Sequence, residues 1–301
     1  YLVLLVAIGA ITLLAYYDAP IADADLWWHM AYGRTVVETG SPRIDHADFA
    51  WTADEIPFYY VTWLGDVTLW ATHEFGGTTA LSFLQAGLYL VVAMIFLRTA
   101  GRGRGRLAPA AVLVLIVAFL CMRSSTVLLK NTMFSVLFYA LLFAILWRFR
   151  RGNARPLIAL PGLFLVWANT HGEVVIGVAV LGAYTACELV VHVLRRQGAL
   201  SRIQVLRLTC AAGASVMALL ANPEGWRLPY SWAAGALSAQ SVNGAGVIAD
   251  TIAPYTRLLI DDPLGAPWAV AVWIWLGLSL QQLALLLGLI WQRHWRRLPF
   301  F

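Results

Sequence analysis

The sequence predicts an all-α, polytopic membrane protein with about eight transmembrane helices in a single membrane domain over residues 1–301. Three observations lead there. The chain is 60% hydrophobic and only 12% charged, about half the ~25% charge of a soluble domain. Its apolar residues fall in long blocks rather than short alternations. The breaks between those blocks alternate between basic and acidic.

The apolar blocks give spans at about 1–17, 79–98, 107–122, 132–147, 157–169, 174–194, 204–221 and 268–291. The run at 1–17 is followed by no small-residue cleavage site, so it reads as a retained helix rather than a signal peptide. Arg98, Arg102, Arg104 and Arg106 form one basic cluster, and Arg148, Arg150, Arg151 and Arg155 a second. Arg195, Arg196, Arg202 and Arg207 form a third, and Arg293, Arg296 and Arg297 close the chain. No acid stands among them; nearly every Asp and Glu lies in the other breaks, Glu188 excepted. The positive-inside rule makes the Arg-rich breaks cytoplasmic. The N-terminus is then inside, the protein is a multi-pass protein of the plasma or inner membrane, and residues 18–78 and 222–267 are its large outer loops. The net charge of +5 is spread this way along the membrane and is no nucleic-acid signal. Cys121, Cys187 and Cys210 are scattered through apolar blocks, which suits packing residues rather than a disulfide framework.

The first outer loop contains the densest chemistry. Asp23 or Asp25 can cap a helix running to about Thr39, with Gly40 as its stop. Asp25 and His29 share a face of it, four residues apart. Arg34 lies further along and, with His29, can hold Asp25 charged. Trp27 and Trp28 suit a membrane interface. A second helix, about Tyr59 to Phe75, ends at Gly76-Gly77 and carries Trp63, Leu64, Val67 and Trp70 as an apolar stripe. Both read as amphipathic interfacial helices. Between them "SPRIDHADFAWT" holds Asp45, His46 and Asp48 within four residues. Such an Asp/His mixture leaves room for a divalent cation without forming a dedicated metal motif.

Further on, Arg155 and Arg195 bracket 39 residues. That is about 58 Å of helix, and two crossings of a ~30 Å hydrocarbon core need about as much. The hairpin tip "WANTHGE", with Asn169, His171 and Glu173, should therefore sit at the outer boundary, where unpaired polar groups are costly. Arg123 and Lys130 stand in a short outer turn, and Arg227 follows the turn "LANPEGWRL"; these cations suit an anionic ligand. Glu188 and His192 share a helical face.

In order along the chain, "DADLWWHMAYGRTVVETGSPRIDHADFAWT", "TWLGDVTLW", "KNTMFSVLFYALL", "LPGLFLVWANTHGE", "LANPEGWRL" and "VIADTIAP" resemble membrane glycosyltransferases of the GT-C type. These are bacterial relatives of the protein O-mannosyltransferases and aminoarabinose transferases. The resemblance covers about residues 1–290 and rests on the collinear order of the motifs. It implies a GT-C-like helical core that moves a sugar from a polyprenyl-phosphate donor to an acceptor on the outer face of the cell envelope. An acid at the end of the first span then acts as general base or orients the acceptor, a place held by Asp25 and Asp23. Loop cations hold the donor phosphate. His29, Arg34, Asp45, Asp48, Arg123, Lys130, Asn169, His171, Arg227 and Asp250 are the candidates for binding. Lys130-Asn131 stands where such enzymes have Arg-Pro, and Glu173 where they have a second glycine. Asp250 stands where they have Glu. The alternative is a non-catalytic integral subunit packed against partner membrane subunits.

Overall fold

The computed structural model describes residues 25–44, 60–100 and 129–230. They form two compact units, one containing the described residues through Gly225 and the other containing Trp226–Tyr230. All regular structure among them is helical: α1 (Asp25–Thr39), α2 (Trp63–Ala100), α3 (Thr132–Arg150), a 3-10 turn η1 (Arg155–Ala159), α4 (Leu160–Ala168), α5 (Val174–Val193) and α6 (Arg202–Ala218). Helices α2, α3 and α5 are long and apolar enough to cross a membrane, the hallmark of a helical membrane protein. The expected spans at 157–169 and 204–221 are helical but shorter, as η1–α4 and α6. Those at 1–17, 107–122 and 268–291 lie outside the described residues.

Helix α1 begins at Asp25 and stops at Gly40, whose φ of +66° ends the helix as its position predicts. Its buried residues, Leu26, His29, Met30, Gly33 and Val36, recur at helical spacing and pack on α2. Gly33 allows the approach: a Cβ there would collide with the carbonyl oxygen of Asp66. Tyr32, Val36, Ile44 and Tyr60 close a small apolar core beside Trp63 and Val67.

Helix α2 breaks at Gly76 and Gly77, where the sequence places the end of a first-loop helix. Gly77 has φ +62° and ψ −155°, a backbone region open essentially to glycine alone. The more buried face before the break is Gly65, Asp66 and Leu69, rather than the expected Trp63, Leu64, Val67 and Trp70, which are only partly buried. The shift arises because α1, the start of α3 and the 167–173 hairpin tip all pack against this turn of α2, and His29, Asn131, Tyr60 and Thr62 satisfy Asp66.

The helices alternate direction. Asn131, Asn169 and Thr170 meet the first turn of α2 at one end. Arg150 closes the other end, where its guanidinium lies 3.2 Å from the buried Glu188 and donates to the carbonyl of Gly198. His192 bonds the carbonyl of Leu200 and not Glu188, so the two residues that share a helical face form no pair. Cys187 and Cys210 are exposed, which corrects the expectation of packing roles: both lie on outward faces of their helices. Cys121 is outside the described residues.

Candidate functional site

Two connected layers of polar side chains occupy the end of the bundle where α1, α2, α3 and the hairpin tip meet. The inner layer centres on Asp66, which is wholly buried. Its Oδ2 accepts from the Tyr60 hydroxyl at 2.7 Å and the Thr62 hydroxyl at 2.9 Å. Its Oδ1 lies 2.7 Å from Nδ1 of His29 and accepts from the Asn131 amide. A buried carboxylate is tolerable only with such a set of donors. Burial, then the Asp66 carboxylate, push the Tyr60 phenol above its ordinary pKa, so it remains a donor. Gly65 lets the chains close in: a Cβ there would meet Oδ1 of Asn131 at 2.6 Å and the Thr170 carbonyl at 2.8 Å.

The outer layer centres on Lys130, adjacent in sequence to Asn131. Its ammonium lies 2.7 Å from Oδ2 of Asp25, with the lysine side chain 19% exposed and the aspartate 47%. Trp28 stacks on His29 at 3.8 Å and donates its indole N–H to the other oxygen of Asp25. The hydrogen bond from Lys130, foremost, holds the Asp25 carboxyl below its usual pKa, so it is ionised at neutral pH. His171, foremost, and more weakly the Lys130 charge hold the Glu173 carboxyl below its usual pKa. Nδ1 of His171 lies 2.9 Å from the Ser135 hydroxyl and 3.6 Å from Glu173. Ser135 in turn accepts from the buried Trp167 indole at 3.0 Å. The Lys130–Asp25 pair and the His171–Ser135–Glu173 cluster thus lie on the same outer layer.

The hairpin tip packs against the first turn of α2. The Trp63 indole donates to Oδ1 of Asn169 at 2.7 Å, and the Leu64 N–H to the Asn169 carbonyl at 2.9 Å. The Asn169 amide donates back to the carbonyls of Leu165 and Ala221. One side chain therefore ties α2, α4 and the end of the α6 segment together.

Of the residues proposed from sequence, Asp25, His29, Lys130, Asn169 and His171 converge. Arg34 does not hold Asp25: it pairs with Glu38 at 2.6 Å on the exposed side of α1, because the i,i+4 partner is closer than any group on the α2-facing side. Arg227 is exposed in the second unit. Asp23, Asp45, Asp48, Arg123 and Asp250 lie outside the described residues. Among the described residues no three His, Cys, Asp or Glu side chains form a metal-ligand set. Sequence reasoning missed Asp66, Asn131, Tyr60 and Ser135. The signal for Asp66 was an acid one residue after a glycine, on a helix that otherwise reads as apolar.

No family model, curated protein or solved structure matches the chain.

Proposed function

We propose that this protein is a membrane glycosyltransferase of the GT-C type, transferring a sugar from a polyprenyl-phosphate donor to an extracytoplasmic acceptor. In this reading the Arg-rich breaks face the cytoplasm, and the polar site opens outward. Helix α1 and the first limb of α2 lie along the outer interface, within an eight-span core. The observation that carries the proposal is the Asp25–Lys130 pair: an ionised, half-exposed carboxylate held 2.7 Å from a cation at the end of the bundle away from the Arg clusters. A donor phosphate competes with Asp25 for the Lys130 ammonium. Once released, the carboxylate takes the proton of an acceptor hydroxyl. The acceptor oxygen attacks the anomeric carbon, and the bond to phosphate oxygen breaks with its electron pair leaving on the lipid phosphate, whose charge Lys130 balances. The Lys130 charge reaches Glu173, with which His171 pairs, and Asp23 is a second candidate acid.

The experiment is transfer from a labelled polyprenyl-phosphate sugar in membranes. Asp25→Asn keeps the shape and removes the base, and should lose at least the lower part of the ~10²–10⁴ that general-base help supplies. Asp23→Asn should lose less. Full turnover by Asp25→Asn removes it from the mechanism.

A second reading, a non-catalytic subunit joined to partner membrane proteins, draws on the closure of the Asp66 network. Both carboxylate oxygens are engaged within the chain, as in a purely structural joint. Absence of transfer by the wild-type chain with any donor favours that reading.

A further inference from the structure

We infer that a groove between η1 and α6, at the end of the bundle opposite the polar site, binds the headgroup of an anionic phospholipid. The inference does not rest on the transferase reading; it requires only that the helices sit in a membrane. One wall is the stripe Arg155, Ile158 and Pro161, repeating every three residues as a 3-10 turn entering a helix presents them. The other is Arg207 and Cys210 on one face of α6. Arg155 and Arg207 are exposed, and among the described residues neither guanidinium is paired with a carboxylate.

Two cations at the rim of an apolar groove are an unusual surface. A guanidinium presents a planar fork of donors that matches phosphate oxygens. Here the floor below the forks is hydrocarbon: Leu157 at the base and Ile158, 88% exposed, on the wall. A soluble anion gains nothing from that wall, whereas a phosphodiester carrying acyl chains uses both halves. The apolar surface also continues outward, since Ile203 and Leu206 on α6 are exposed beside it. The place fits as well, because Arg150 ends the membrane-spanning α3 on this side, which puts the groove at headgroup level.

The test is native mass spectrometry of the full chain in mild detergent, titrated with phosphatidylglycerol or phosphatidylcholine. Wild type should retain one phosphatidylglycerol in preference to phosphatidylcholine. The R155A/R207A variant should weaken that binding about 30-fold, at roughly fivefold per cation near the surface. The R196A/R202A variant removes the same charge at the same end without touching the groove and should stay within about twofold of wild type. Cys210→Trp fills the groove without altering charge and should also expel the lipid; circular dichroism melts confirm that each variant is folded. Equal losses in the two double variants would mean diffuse attraction and overturn the site. So would displacement by millimolar inorganic phosphate, or a lipid kept by R155A/R207A and lost by R98A/R148A. That last result would move the headgroup to the narrower groove between α2 and α3, lined by Arg98 and Arg148.

Discussion

Replacing Asp66 by alanine removes the acceptor around which three segments are joined. Tyr60, Thr62, His29 and Asn131 all direct a polar group at that carboxylate, which has no exposed surface. Each buried donor left unpaired costs about 1–3 kcal/mol, and breaking a buried pair by removing one partner costs about 3–5 kcal/mol. Water entering the vacated space re-pairs some donors, so the total is about 4 kcal/mol rather than the simple sum. At ~2–4 °C per kcal/mol for a chain of this size, the melting temperature should fall by about 8–16 °C. Asp25→Ala breaks a pair whose aspartate is half exposed; such pairs are worth ~0–1 kcal/mol, so it should melt within about 4 °C of wild type. The assay is thermal unfolding of both variants in the same detergent, followed by circular dichroism or by loss of monomer on size exclusion. The contrast between the two acids is the result to look for. If Asp66→Ala melts within about 3 °C of wild type, the buried network does not join the helices and the argument fails.

Gly33→Ala places a Cβ against the Asp66 carbonyl; it should cost about 1–3 kcal/mol as α1 and α2 are forced apart, read in the same melts. Asp25 and Glu173 have lowered folded pKa values. Their pairs with Lys130 and His171 therefore stabilise the fold above the unfolded values, about pH 4–4.5, and that contribution is lost as pH falls below them. Lys130→Met should reduce the difference in melting temperature between pH 7 and pH 3.5. Single-cysteine variants in a cysteine-free background should show Ser41→Cys labelled by an impermeant reagent in intact cells and Arg196→Cys protected. The reverse pattern inverts the topology.

The helices were legible where period and punctuation agree. Asp25 to Gly40 follows from a spaced apolar face and a glycine stop, and the α2 break follows from Gly76-Gly77. The 39 residues between Arg155 and Arg195 read as a hairpin turning at 167–173, and the chain does turn there, between α4 and α5. What sequence could not supply was the partnership across segments. Asp25 and Lys130 are 105 residues apart, and a carboxylate at a helix start reads equally well as a cap. Asp66 was passed over because its burial depends on donors from α1 and α3, invisible to a local pattern. Arg34 drew attention by its charge near Asp25 on the same helix, and a glutamate one turn further along took it instead.

The two helices that sandwich the phospholipid groove share a property with consequences for the bilayer around them. Segment η1–α4, five residues of 3-10 and nine of α-helix, is only about 24 Å long. Helix α6, at 17 residues, is about 26 Å long, against about 30 Å for the 20-residue α5. Since α4 and α6 pack side by side, a bilayer crossed by both would meet one sector shorter than its ~30 Å hydrocarbon core. A short hydrophobic surface is accommodated by local thinning, at fractions of a kcal/mol per Å. In the proposed eight-span arrangement, where both segments cross the bilayer, the lipid along α4 and α6 would be thinned by roughly 4–6 Å relative to that along α5. The membrane's two polar surfaces would then come nearest to one another beside the segments that Asn169 holds together.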